Sequence, residues 1–151
     1  MGKEIERKFL PADDSWRCLV EKSIDMSKCY LSRRPHSTVR VRVAGDRAWI
    51  TVKGLNDGAE RNEWEYEIPV SDAVEMLSEA GMTDGRVISK TRHVLTYGGR
   101  IWEIDEFHGC HEGLVVAEVE IEAPDAPVEI PPFIGAEVTG DPSYYNSSLA
   151  R

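Results

Sequence analysis

No stretch of this 151-residue chain resembles a membrane span or the apolar core of a signal peptide, because a charged residue interrupts every apolar run within a few positions. A cytoplasmic protein is the expectation. Cysteine is scarce and odd in number. Cys18, Cys29 and Cys110 lie far apart with no C-x-x-C pair, which argues against a disulfide framework and against paired-cysteine zinc or redox chemistry. Positive charge is in deficit, with 18 Lys and Arg against 27 Asp and Glu and a net charge of −9. Nucleic acid and anionic membranes repel such a chain at long range, so neither is expected as a partner; an anionic ligand has to be captured by a local basic cluster, helped by cations. Repeats, low-complexity tracts and Gly/Ser linkers are missing too, and one domain over residues 1–151 is expected.

What is present is alternation with period two, the spacing of a strand that shows one face to each side of a sheet. It predicts strands over 3–10, 37–44, 47–53, 61–69, 86–97, 100–107, 114–123 and 134–139. Gly45-Asp46 and Gly98-Gly99 read as tight hairpin turns. Helices are predicted near 14–23, and from Ser71 as N-cap to Gly81 as C-cap, with a further capped helix start at Asp141-Pro142.

The polar faces of these strands carry pairs of like charge. Val39, Val41 and Val43 oppose Arg40 and Arg42; Trp64, Tyr66 and Ile68 oppose Glu63, Glu65 and Glu67; Val115, Ala117, Val119 and Ile121 oppose Glu118, Glu120 and Glu122. Trp102 and Ile104 oppose Glu103 and Asp105, and Lys90 shares a face with Arg92. A merely solvated face mixes Thr, Ser, Lys and Glu. Like charges two positions apart sit about 7 Å from each other and repel, so several such pairs call for a compensating ligand, metal ions for the acidic pairs and phosphates for the basic ones. About eight strands closing into a barrel would gather these faces around one lumen.

The first strand completes the set. In Lys3-Glu4-Ile5-Glu6-Arg7-Lys8-Phe9-Leu10 one face carries Glu4, Glu6 and Lys8. This E-x-E-x-K resembles the signature of the CYTH superfamily, the triphosphate tunnel metalloenzymes. The likeness continues in order through Val39-Arg40-Val41-Arg42, Thr51-Val52-Lys53-Gly54, Glu63-Trp64-Glu65, Lys90-Thr91-Arg92, Trp102-Glu103-Ile104-Asp105-Glu106-Phe107, Gly113 to Glu120 and Glu137 to Asp141. It implies an α+β fold: a closed eight-stranded antiparallel β-barrel, the triphosphate tunnel, with a few flanking helices.

The resemblance also implies roles. Glu4, Glu6, Glu118 and Glu120 match metal-binding glutamates, and Asp105 matches an acidic residue that assists them. Hard oxygen donors suit Mg²⁺ or Mn²⁺. Lys8, Arg40, Arg42, Lys53, Lys90 and Arg92 match the residues that hold the phosphates; Glu63, Glu65 and Glu103 orient those cations, reach metal through water, or simply balance charge. Glu4, Glu6, Lys8, Asp105 and Glu118 form the catalytic set, the four carboxylates being the candidates to hold the attacking water. The expected activity is hydrolysis of inorganic triphosphate to pyrophosphate and phosphate, as in the short bacterial members, extending to nucleoside triphosphates. Class IV adenylate cyclase, thiamine triphosphatase, and a noncatalytic polyphosphate- or nucleotide-binding module are the alternatives. No segment is dedicated to adenine and ribose, and both acidic pairs that a binder could lose are intact. A homodimer stays open. The chain departs from larger relatives in having only Arg151, not a lysine, in its last stretch. His93 falls on the face opposite Lys90 and Arg92 and reads as exterior, and the His108, Cys110 and His111 turn has too few donors for a metal site.

Overall fold

The computed structural model describes residues 2–149, apart from the side chains of Lys3, Asn146 and Ser147. Its strands are β1 (Gly2–Pro11), β2 (Lys22–Arg34), β3 (Ser37–Ala44), β4 (Arg47–Lys53), β5 (Glu60–Ile68), β6 (Ile88–Tyr97), β7 (Arg100–Phe107), β8 (Val115–Glu120) and β9 (Ile134–Glu137). Two α-helices join them, α1 (Val70–Ser78) and the single turn α2 (Asn146–Leu149). The strands run β5-β4-β3-β2-β6-β7-β8-β1, and β1 returns to pair with β5, which closes an eight-stranded antiparallel barrel. Gly2 to Ile5 make the closing ladder with Glu60 to Glu63. Farther along the same edge of β1, the short β9 pairs with Phe9 and Pro11, outside the barrel.

Two expectations are corrected here. The predicted helix near 14–23 shrinks to a 3-10 turn, Ser15–Leu19, anchored by the fully buried Trp16. The chain then extends at once into β2, which the periodicity had not revealed. The eighth stave of the barrel is therefore β2, placed between β3 and β6, whereas 134–137 lies outside the ring. The reason is that the alternation changes partway: Ile24 and Met26 alternate with Asp25 and Ser27, but from Lys28 to Tyr30 the strand is buried on both faces, with Cys29 packed beneath α1 and the charged Lys28 turned inward.

Local turn chemistry acts largely as read. Gly45 (φ 60°) opens the two-residue turn between Ala44 and Arg47, and Gly98 and Gly99 (φ 59° and 74°) supply the left-handed pair between β6 and β7. Helix α1 begins earlier than Ser71 implies: Pro69 is its N-cap, without a side-chain cap, and the Pro69 carbonyl accepts from Ala73 N–H at 3.2 Å. A proline fits there because the missing N–H would have no helical partner. At Asp141 the carboxylate accepts the Ser143 N–H at 3.0 Å and caps a 3-10 turn, Pro142–Tyr144.

The apolar core lies outside the lumen, in two patches. Phe9, Trp16, Leu95, Trp102, Ile104, Ala117, Val119 and Phe133 pack under the 3-10 turn and the segment before β9. Cys29, Val41, Ala48 and Ala73 pack under α1. A third cluster, Tyr30, Ile88, Phe107 and Val116 with Tyr144 and Leu149 against it, uses the inward strand faces and stoppers part of one barrel end with the C-terminal segment. One step along those faces stand Lys28, Lys90, Asp105 and Glu118, all buried. β2, β6, β7 and β8 thus change from apolar to charged along their inner faces.

Candidate active site

Closure of the barrel brings the charged pairs together. A cavity of about 210 Å³ is bordered by Glu4 and Glu6 of β1, Arg40 and Arg42 of β3, Lys53 of β4, Glu63 and Glu65 of β5, Arg92 of β6, Glu103 of β7, and Glu118 and Glu120 of β8. Lys8, Lys90 and Asp105 stand on the same strand faces, deeper and nearly closed off from solvent. Every residue expected to hold phosphate or metal is therefore directed to one lumen, with Glu120 at its exposed rim. A narrow cavity of about 30 Å³ shares Glu6, Arg40 and Lys53 with the lumen, and Thr38, Asn56, Arg61 and Tyr145 with a third cavity of about 610 Å³. The three adjoin one another, the narrow one lying beside Lys8 and Tyr145. The wide one, bordered by Arg33, Arg34, Arg61 and Leu55, is room for an organic group that the sequence does not announce.

Most cations of the lumen are held by carboxylates. Lys53 donates to both oxygens of Glu4 at 3.0 and 3.1 Å and lies 3.4 Å from Glu63. Arg92 donates to both oxygens of Asp105 at 2.8 and 2.9 Å and to Glu103 at 3.2 Å; Lys90 also bonds Asp105. Arg40 and Arg42 share Glu65 at 3.6 and 3.8 Å, and Glu65 also accepts from the buried Thr51 hydroxyl at 2.7 Å. Lys8 lies 3.7 Å from Glu6 and 5.8 Å from the Tyr145 ring centre. The Nε atoms of Arg40, Arg42 and Arg61 are buried donors without an acceptor among the described residues. Phosphate oxygens would satisfy them.

The acidic side is under strain of a different kind. Glu6 pairs directly across from Glu120, and Lys8 across from Glu118. Burial first, and then the neighbouring Glu118 and Glu4, push the Glu6 carboxyl up to about 8. Burial and its hydrogen bond to Glu4 push Glu63 up to about 7. Glu118 goes the other way: burial disfavours its charge, but Lys8, Arg92 and Lys90 outweigh that and bring it to about 2. Burial also opposes ionisation of Asp105, which Lys90 and Arg92 overcome, leaving it well below the usual carboxylate range. Carboxylates that crowd until one is forced to keep a proton are the donor type a divalent cation relieves, and Glu4, Glu6 and Glu118 crowd in this way with Glu120 beside them. Among the described residues no three acidic, His or Cys side chains yet converge as a ready-made shell.

Sequence reasoning missed Lys28, Tyr30 and Arg61. The first two were lost with β2. Arg61 lies on the Glu63 face of β5 and could have been read from R-x-E-x-E; its guanidinium reaches Thr38 Oγ1 and the Gly54 carbonyl. His93 is on the exterior, 5.2 Å from the Trp16 ring, bonded to Ser23 and Glu106. His108 bonds Thr91 and His111 bonds the Leu149 carbonyl, so that turn is occupied in structural contacts. Arg151 lies outside the described residues.

Comparison with known proteins adds to this geometry. The CYTH domain family matches residues 2–145. A protein of Acetivibrio thermocellus named inorganic triphosphatase is 44% identical over 151 residues, spanning 100% of this chain and 95% of its own. Another of that name from Nitrosomonas europaea is 36% identical, over 97% of this chain and 96% of its own. The crystal structure of the inorganic triphosphatase NE1496 superposes with a TM-score of 0.67 at 34% identity, covering 99% of this chain and 95% of that one. A Pyrococcus horikoshii structure, at 19% identity, 80% coverage of each chain and a TM-score of 0.61, shares the fold. No helix among the described residues is long and apolar enough to cross a membrane. With the eight-stranded ring, the charged lumen and the family match in agreement over nearly its whole length, the chain belongs to the CYTH domain family.

Proposed function

We propose that this chain is a cytoplasmic metal-dependent hydrolase that cleaves inorganic triphosphate to pyrophosphate and phosphate within the lumen. The observation that carries the reading is the juxtaposition, inside one closed barrel, of a phosphate-sized basic set and a crowded carboxylate set. The full-length similarity to proteins named inorganic triphosphatase supports the substrate.

The residues divide the work by charge and geometry. Arg40, Arg42 and Arg92 each offer a planar fork that can grip two oxygens of one phosphate, whereas Lys8, Lys53 and Lys90 act as point charges. Their carboxylate partners keep them aimed at the lumen until a phosphate replaces those partners, so little reorganisation is left for the moment of reaction. Glu4, Glu6, Glu118 and Glu120 would hold Mg²⁺ or Mn²⁺. A divalent cation there supplies Lewis-acid charge neutralisation for triphosphate oxygens and for water. Asp105 has both oxygens on Lys90 and Arg92, so it positions those cations, and a role on the metal requires that these bonds give way. Orientation of the attacking water then falls to Glu4, Glu6 or Glu118. The leaving pyrophosphate gathers charge beside the basic set.

The wide outer cavity favours a second substrate class, since an organic group can lie there while its phosphates enter the lumen. Nucleoside triphosphates are therefore cleaved too, the organic part lying beside Leu55, Asn56, Asp84 and Tyr145. The test is product analysis with tripolyphosphate, thiamine triphosphate and ATP, each with Mg²⁺ or Mn²⁺. Orthophosphate and pyrophosphate in equal amounts are expected from tripolyphosphate, and ADP with orthophosphate from ATP. Excess EDTA should abolish turnover, and Glu118→Gln should cost at least about a hundredfold in kcat with the fold retained. Cyclic AMP as the main ATP product, with tripolyphosphate left intact, would overturn the assignment.

A further inference from the structure

Lys28 lies midway along β2 on the lumen face, opposite Arg42 of β3 and Ile88 of β6. It is 1% exposed, and among the described residues no carboxylate forms an ion pair with its ammonium. The groups that face it are mostly of its own sign: Lys90 and Arg92 from β6 and Arg40 from β3 repel it. Asp105 of β7 attracts it from beyond contact, yet both Asp105 oxygens are already taken by Lys90 and Arg92. Burial, and then these neighbouring cations, drive the Lys28 pKa well below the ordinary lysine range.

Every other basic residue of the lumen has a carboxylate within reach: Lys8 has Glu6, Lys53 has Glu4, Arg40 and Arg42 have Glu65, Lys90 and Arg92 have Asp105. Lys28 alone among them is buried with none. A buried, unpartnered amine is costly, and an apolar side chain of the same length would fill the space without that cost. Such a group is explained when an anion enters and completes it.

We propose that Lys28 is a further phosphate-binding residue of the tunnel, donating to a triphosphate oxygen at the floor of the lumen beside Arg42 and Lys90. This rests on the triphosphatase reading above. Arg42, its partner across β3, borders the lumen, and Lys90 stands one step along on the same inner face of β6, so a phosphate drawn down to these two cations comes up against the Lys28 amine as well.

The full-length protein with Lys28→Met separates this role from a structural one, because the two roles move stability and binding in different directions. Binding of inorganic tripolyphosphate is measured by calorimetry in EDTA, which blocks turnover, alongside thermal melting with and without tripolyphosphate. In the variant the empty protein should melt at the same temperature as wild type or higher. Tripolyphosphate affinity should fall by about tenfold or more, with a matching loss of the melting shift that the ligand produces. Lys28→Gln, which keeps a donor without the charge, should fall between the two proteins, and it provides the same comparison if Lys28→Met does not fold. Wild-type affinity in the variants, or a fall in stability with affinity unchanged, overturns the proposal. Failure of the wild type itself to bind or cleave tripolyphosphate sinks the triphosphatase reading, and the role of Lys28 with it.

Discussion

The crowded carboxylates make the metal-free protein lose stability as the pH rises. Glu6 has a folded pKa of about 8 against 4.5 for the free side chain, so the fold holds a proton that the unfolded chain has released at intermediate pH. A group raised in this way contributes its full stability below 4.5 and loses it as the pH climbs through about 8. One such proton is worth about 1.4 kcal/mol per pH unit, or about 5 kcal/mol over the window, and about 3 kcal/mol once screening by solvent is allowed for. That discount is needed because 23% of the Glu6 side chain is exposed. Glu63, raised to about 7, acts in the same direction over a narrower range. Glu118 and Asp105 titrate below about pH 4 and leave this window alone. About two-thirds of that loss falls between pH 5.5 and 8.5, which in a protein of this size corresponds to a melting temperature lower by about 6 °C at the higher pH. The assay is thermal melting in EDTA across that range, for the wild type and for Glu6→Gln. Saturating Mg²⁺ should flatten the wild-type curve, since a bound cation favours the ionised carboxylates. A melting temperature in EDTA that stays level or rises with pH would refute the reasoning, and so would a Glu6→Gln curve as steep as the wild type.

Asp105→Asn should cost about 3–5 kcal/mol of folding stability by denaturant titration, because it leaves Lys90 and Arg92 buried beside a neutral amide. Glu65→Gln, whose arginine partners stand 3.6 and 3.8 Å away and whose side chain is 32% exposed, should cost less than about 1 kcal/mol in the same measurement. At the second hairpin, Gly98→Ala would place a Cβ 2.6 Å from Glu129 Oε2 and 2.8 Å from Glu129 Cβ in a left-handed backbone. It should destabilise by about 2 kcal/mol, against about 1 kcal/mol for Gly99→Ala, where the added carbon meets nothing within 4 Å.

The parts of the site that were legible in the sequence are those where like charges repeat every second residue. Glu4 and Glu6, Arg40 and Arg42, Lys90 and Arg92, and Glu118 and Glu120 each announce a strand face that needs a counter-ion, and strand closure brings all of them to one lumen. The hairpins were legible for a separate reason, since Gly45, Gly98 and Gly99 take left-handed backbone that other residues avoid. β2 was not legible. Its inner face mixes Met26 and Tyr30 with Lys28 and its outer face mixes Cys29 and Leu31 with Asp25 and Ser27, so neither face reads as wholly apolar or wholly charged, and a local helical pattern before it drew the boundary wrongly. The pairing between carboxylates and cations was equally hidden, because Asp105 with Lys90 and Arg92, or Glu65 with Arg40 and Arg42, are partners across strands that no spacing within one strand reveals.

The position of β1 in the ring bears on how the protein is made. This strand is synthesised before the rest of the barrel, yet its neighbours are β5 and β8, so its ladders wait for residues 60–63 and 117–120. Until then the first strand has no stave on either side, and the meander from β2 to β5 can form without it. Sequence separations this long make closure the slow step of assembly. The same step forces Glu4 and Glu6 against Glu118 and Glu120, so the most repulsive contacts of the molecule form last. A divalent cation present during synthesis would therefore act before any substrate arrives, by helping the ring to close.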